Sequence, residues 1–403
     1  MTRRDSAVSD GDSVGEDPTA ACRGEERSGV RVADDAAAQA AGVSPSGPLR
    51  PDADLVSLLR AIVDIESVSG NERELADLVE ATLRAQAHLV VERDGDCVIA
   101  RTRLRRPQRV VIAGHLDTVP VAGNLPSSLA ETPDGPRVYG RGACDMKGGV
   151  AVALKLACEL TRPRVDVTWV FYDHEEVDAS LNGLGRVARN RPDLLSGDFA
   201  VLMEPTAAHI EGGCQGTIRF RIHTTGQAAH SARSWMGRNA IHSLADVLAR
   251  LAAYEPRRIV VEGLEYREGL NAVRIGGGVA GNVIPPEAWV EINYRYAPDK
   301  SAEEALEHLA EVFPEAELDV VDSSPAARPG LDAPLAAEFV VAVGGDARPK
   351  YGWTDVARFA ALGVPAVNYG PADPSLAHRD DEYCPVADLT SCADGLRRWL
   401  STM

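Results

Sequence analysis

After Pro51 the apolar residues gather at helical spacing. Leu55, Leu58, Leu59, Ile62 and Val63 share a face behind the acidic start Asp52-Ala53-Asp54, which predicts an amphipathic helix. Asn71 is placed to cap a second helix, with Leu75, Leu78, Val79 and Leu83 along one side. Val110-Val111-Ile112-Ala113, a short run dominated by β-branched residues, predicts a buried strand, and 199–203 predicts another. Between them, 148–160 reads as a helix and 165–172 as a strand. This alternation predicts an α/β sheet with helices on both faces.

The pattern changes after about residue 213. Ile218, Phe220 and Ile222 alternate with polar residues through 216–225, as in a strand buried on one side. A long helix at 239–254, strands at 259–262, 272–275 and 288–296, and a helix at 302–312 follow. That α+β order suits an inserted domain. After Pro325 the α/β pattern resumes: Thr354-Asp355 opens a helix, and 364–369 is a further buried strand. The expected organisation is a catalytic domain in two parts, 49–213 and 324–403, around an insertion at 214–323. Residues 1–48 contain no Phe, Tyr, Trp or Ile, too little apolar surface to offset the entropy of ordering, and are expected to be a disordered extension. No internal repeat is visible.

Composition narrows the function classes. The net charge of −18 argues against nucleic acid or an anionic membrane as partner, since both need basic surface. No apolar run is long enough to cross a membrane, and no apolar stretch marks a secretory signal at the N-terminus. Seven scattered cysteines without a CxxC pair fit reduced thiols, so a cytoplasmic protein is expected.

Polar residues that could carry chemistry sit just beyond the predicted strands. His115 and Asp117 close the first, two positions apart and so pointing the same way in extended chain. Asp145 lies in the Gly-rich turn Arg141–Gly149, Glu175 and Glu176 end the strand reaching Tyr172, Glu204 follows Met203, and His378 lies in a loop beyond Tyr369. Each alone has an ordinary reading: a surface histidine, a helix cap, solvated strand-end acids, a polar loop residue. Lys147 lies in the same Gly-rich turn, but GxxxxGK[ST] is absent, which argues against a nucleotide site. Together, two histidines and four carboxylates at strand ends suit zinc, and a bridging carboxylate allows two ions. The adjacent Glu175 and Glu176 repel one another, and a nearby cation would relieve them; successive residues point apart, so their tasks should differ.

The strings GHLDTVP, GACDMKGG, FYDHEE, MEPT and the later LAH, in that order, resemble the co-catalytic zinc amidohydrolases. That family includes aminoacylase, acetylornithine deacetylase, glutamate carboxypeptidase and succinyl-diaminopimelate desuccinylase. The resemblance runs from about residue 52 to the C-terminus. It implies a zinc-peptidase-like catalytic domain with helices on both faces of a mixed sheet, and an inserted α+β lid and dimerisation domain. It implies two zinc ions, for which cobalt or manganese could substitute. Asp145 would bridge them, His115 and Glu204 would hold one, and Glu176 and His378 the other. Glu175 would be the general acid/base and Asp117 would orient His115. The GxxxHS motif, here Gly226 to His230-Ser231, implies that His230 reaches the partner subunit's site in a homodimer and stabilises the oxyanion.

Longer strings, among them HLDTVPVAGNLP, AHSARSW, GGVAGNVIPP and KYGWTDVARFAALG, imply an anionic N-acyl-amino-acid substrate, N-succinyl-L,L-2,6-diaminopimelate. Acetylornithine or another N-acyl amino acid is the alternative. Arg295, Asn282, Thr354 and Arg233 are the candidate substrate contacts. The chain departs from the family where His174 and Val177 replace the more common Asp and Gly around the paired glutamates, and where Cys214 and Gln215 stand in place of arginines found in some desuccinylases. None of these is a ligand position.

Overall fold

Eight strands form the main sheet of the computed structural model, which describes residues 48–401. Their order is Leu89–Asp94, Cys97–Thr102, Asp166–Tyr172, Arg109–His115, Phe199–Leu202, Ala366–Asn368, Glu211–Gly212 and Arg348–Pro349. The middle four run parallel, with His115 opposite Tyr172, Ala113 opposite Leu202, and Leu202 opposite Asn368. Antiparallel strands flank them, so the sheet is mixed. All seven residues of Asp166–Tyr172 are buried, as expected of a strand covered on both faces. Helices Leu55–Val63, Arg73–Arg84, Lys147–Glu159 and Val386–Ser401 pack one face, and Gly183–Asn190 and Val356–Ala361 the other. The expected α/β layering is therefore present, and the carboxyl ends of the parallel strands share one edge, where open α/β sheets place their sites.

A second, antiparallel sheet takes the order Gly269–Gly277, Glu287–Tyr296, Gly216–Thr225, Asp319–Ser324. Ile218, Phe220 and Ile222 face its core with Val290 and Ile292, and Ala305 and Leu309 of helix Ala302–Val312 close over them. Ser301 and Glu304 form a reciprocal capping box at that helix's start. The helix expected at 239–254 is two, Ala240–Ser243 and Ala245–Ala253, and the Asn239 side chain accepts from the amides of Ile241 and His242.

The chain differs from its sequence pattern in several places. Asn71 does not cap the second helix. Glu72 occupies the cap position, and its buried carboxylate instead turns back to accept from Gly70 N (2.9 Å) and His174 N (3.2 Å). The hairpin Leu89–Thr102 and the strand Asp319–Ser324 have no counterpart among the expected elements. They lie at sheet edges, where charged residues blur the alternation. The expected extension at 1–48 lies, Pro48 apart, outside the described residues, as does Cys22. The other six cysteines are free. Among the described residues, no helix is long and apolar enough to cross a membrane.

Candidate active site

The strand ends converge as their register requires. His115 is the last residue of its strand, Asp173 to Glu176 follow Tyr172, and Glu204 lies two residues past Leu202. Asp145 arrives from the turn before helix Lys147–Glu159. That turn is clamped from the far end of the chain: the buried Glu382 carboxylate accepts from Arg141 Nη1 (2.7 Å), Gly142 N (2.9 Å) and Cys144 N (3.3 Å). A paired, hydrogen-bonded carboxylate can stay charged in the interior, and here it fixes the backbone that presents Asp145.

Asp145 faces a histidine with each oxygen. Oδ1 lies 3.2 Å from His115 Nε2 and Oδ2 3.5 Å from His378 Nε2. His378 Nε2 is also 3.0 Å from Glu176 Oε1. One ligand atom each from His115, Asp145 and Glu176 lies within 4.8 Å of the other two. The other ring nitrogen of His115 is 2.9 Å from the Asp117 carbonyl oxygen. A carbonyl can only accept, so Nδ1 carries the proton and the Nε2 lone pair points at a carboxylate. Two acceptors face to face need a cation between them, either a proton on Nε2 or a metal, and this N,O donor set fits a divalent metal.

Asp117 reaches the His115 ring through its backbone and not its side chain. Its carboxylate is 3.7 Å from His115 Nδ1, beyond hydrogen-bond distance, and it is the residue's carbonyl that orients the ring. The fully buried carboxylate accepts instead from Ser69 Oγ (2.6 Å), Glu175 N (2.9 Å) and Glu176 N (3.0 Å). Pinning two consecutive amides sends the two side chains apart, Glu176 towards His378 and Glu175 into the pocket beside His115 and Glu204. His174, in the left-handed region at φ 58°, makes the bend that precedes them. Its Nδ1 is 2.8 Å from Asp173 Oδ2 and its amide is held by Glu72.

Charge is crowded here. Burial, reinforced by Glu204, pushes the Glu175 carboxyl well above its usual range. Burial and then the Asp145 charge push Glu204 up to about 8. Burial would also raise Asp145, but its contacts with His115 and His378 outweigh it and hold the carboxyl low. Contacts with Asp145 and Glu176 push His378 up to about 10. Burial lowers His115, yet Asp145, Glu175 and Asp117 together hold it well above the ordinary value. Carboxylates that resist ionising, beside histidines that hold protons, mark a site with too few positive charges.

The cluster opens on a cavity of about 450 Å³ whose walls include Asp145, Glu175, Glu176, Glu204, Thr354 and His378. The Thr354 hydroxyl donates to Asn368 Oδ1 at 2.9 Å. His230, Arg233, Asn282 and Arg295 do not line this cavity within one chain. His230 is exposed, with Nδ1 accepting from Ala232 N at 3.1 Å, and the Asn282 carbonyl accepts from Ser231 N at 2.9 Å. Arg295 lies half-buried on the Glu287–Tyr296 strand. Two charged residues of the wall are not among the expected contacts: Glu211 lies in none of the quoted strings, and Lys350 opens KYGWTDVARFAALG without any spacing that singles it out. Glu72 and Glu382 also escape a search for strand-end groups, because both act on backbone amides.

The model of Peptidase family M20/M25/M40 matches residues 111–402. A Corynebacterium glutamicum protein named succinyl-diaminopimelate desuccinylase is 44% identical over 371 residues, spanning 88% of this chain and 99% of that protein. A Mycobacterium tuberculosis protein provisionally given the same name is 55% identical over 350 residues, spanning 86% of this chain and 98% of that protein. Among solved structures, a Staphylococcus aureus tripeptidase superposes with a TM-score of 0.71 at 20% identity, covering 88% of this chain and 98% of that one.

Proposed function

The chain belongs to peptidase family M20/M25/M40, and from that membership we infer that it is a metal-dependent amidohydrolase, one that hydrolyses N-succinyl-L,L-2,6-diaminopimelate to succinate and L,L-2,6-diaminopimelate. The two desuccinylase relatives, matched almost end to end, supply the substrate. The observation that carries the chemistry is Asp145, with one oxygen towards His115 and the other towards His378.

We assign a pair of zinc ions to this site. His115 and Glu204 would hold one, Glu176 and His378 the other, and Asp145 both. Such ions supply a water of lowered pKa and a Lewis acid for the acyl oxygen. The protein's own work is to place and move a proton. Glu175 does not share in the contacts between His378, Glu176 and Asp145, and its amide is fixed by Asp117. Its carboxylate accepts a proton from the attacking water. It then delivers that proton to the amide nitrogen as the C–N bond breaks, so succinate leaves as the carboxylate and the product as the amine.

We assign residues 214–323 the role of lid and dimer contact, in a cytoplasmic homodimer. The edge strand Gly269–Gly277 exposes Val273 and Ile275, and beside His230 the chain exposes Trp235 and Met236. An apolar edge of this kind favours pairing with a second copy. In such a dimer His230, which does not line the cavity of its own chain, would stabilise the oxyanion of the partner's site. Mixed dimers of inactive His230→Ala and Glu175→Gln chains are then expected to regain part of the parental activity, up to about a quarter when subunits pair at random. A verified mixed dimer without activity would remove the trans role.

The substrate is tested by assaying succinate release from N-succinyl-L,L-2,6-diaminopimelate and acetate release from N-acetylornithine, with and without a chelator. Chelator-sensitive succinate release with kcat/KM at least about 100-fold above that for acetylornithine is expected, because polar groups that grip a substrate carboxylate discriminate strongly against an analogue lacking it. The opposite preference would replace this reading with a deacetylase.

A further inference from the structure

Lys350 is the one lysine or arginine among the described residues lining the cavity, and the reaction outlined above does not use it. Two very short strands deliver it. Arg348–Pro349 runs parallel to Glu211–Gly212, with Arg348 opposite Glu211 and Pro349 opposite Gly212, and Lys350 N donates to Gly212 O at 3.3 Å. This register sets Lys350 Nζ 2.8 Å from Glu211 Oε2. The lysine is only 8% exposed, and Glu211 is its one ion-pair partner among the described residues. An ammonium has three N–H donors, so one acceptor leaves capacity for another. Neighbouring donors are already committed: the Trp353 ring N–H to Pro325 O and the Thr354 hydroxyl to Asn368.

Burial opposes charge on this lysine, but Glu211, Glu204 and Asp145 outweigh it and keep its pKa above the ordinary value. Five carboxylates line the same cavity: Asp145, Glu175, Glu176, Glu204 and Glu211. A bound metal pair would offset the carboxylates that hold it and would act on the scissile amide. A substrate that carries carboxylates away from that amide therefore needs a separate fixed cation. We propose that Lys350, aimed by Glu211, binds a substrate carboxylate and sets the preference for anionic acyl-amino acids. This assignment rests on the desuccinylase reading.

The carboxylate could be that of the succinyl group or the one beside the scissile nitrogen. The test compares Lys350→Met with the parent on N-succinyl- and N-acetyl-L,L-diaminopimelate, together with inhibition by free succinate and zinc content. KM for the succinyl substrate is expected to rise about 10- to 100-fold, the loss of one charge-assisted hydrogen bond, with kcat within about threefold and zinc retained. If Lys350 holds the succinyl end, KM for the acetyl substrate stays put and succinate inhibits less. If it holds the amino-acid carboxylate, both KM values rise together and succinate inhibition is unchanged. Either pattern supports the assignment. Unchanged KM values with full zinc overturn it, and so does a KM rise that accompanies loss of zinc. Should Lys350→Met fail to fold around an unpaired Glu211, the double variant Lys350→Met/Glu211→Met removes both charges and is held to the same outcomes. A parent enzyme that releases no succinate defeats the desuccinylase reading instead, and the acetyl substrate still tests Lys350 as the anchor for the amino-acid carboxylate.

Discussion

A Glu175→Gln chain is expected to keep its full complement of zinc and to lose turnover by about 100- to 10,000-fold, the range over which a positioned acid/base accelerates proton transfer. The substitution is close to isosteric. The backbone that places the side chain is held through Glu175 N and Glu176 N on the Asp117 carboxylate, and these bonds do not involve the Glu175 side chain. Position and pocket therefore survive while the ability to take a proton is lost. Burial already disfavours the ionised form of this carboxyl, so the neutral amide should fit without unfolding the site. Metal content by elemental analysis and kcat at saturating substrate form the paired measurement. Near-parental kcat would end the acid/base assignment, and loss of zinc would move Glu175 into the ligand set.

What the sequence made legible follows its periodicities. Strands buried on both faces, such as Asp166–Tyr172, read as continuous apolar runs, and strands buried on one face, such as Gly216–Thr225, read as alternation. Because each strand fixes where its last residue lies, His115, Glu175, Glu176 and Glu204 could be assembled at one sheet edge before any coordinates. The less legible features depend on partners distant along the chain. Glu382 acts on amides at 142 and 144, Glu72 on the amide of His174, and Lys350 gains its position only when two-residue strands pair across the chain. Asp117 illustrates the limit of spacing. Two positions from His115 it points the same way, yet it is the carbonyl that reaches the ring, while the carboxylate serves a turn near residue 175. His230 is a further case, because its motif is visible in the sequence while its proposed target lies on another subunit.

Asp145→Ala should be more damaging than the loss of any other single ligand. Asp145 is the carboxylate that faces both His115 and His378, at 3.2 and 3.5 Å, whereas Glu176 contacts His378. Removing Glu176 or Glu204 should weaken one ion and leave the other largely held; removing Asp145 should weaken both. A Lewis acid supplies several kcal/mol of transition-state stabilisation, and each ~1.4 kcal/mol is a factor of ten, so turnover should fall by at least about a thousandfold. The same variant has a readout independent of catalysis. A metal that binds only the folded chain stabilises it by mass action. Zinc should therefore raise the thermal midpoint of the metal-stripped parent, do so more weakly for Glu176→Gln, and leave Asp145→Ala nearly unmoved. The metal-free fold should itself lose some stability, because contacts with His115 and His378 hold the Asp145 carboxyl low, so the readout is the rise in midpoint on adding zinc and not the midpoint itself. An Asp145→Ala chain that still binds two zinc ions, still gains stability from them and still releases succinate would show that the two histidines belong to separate sites.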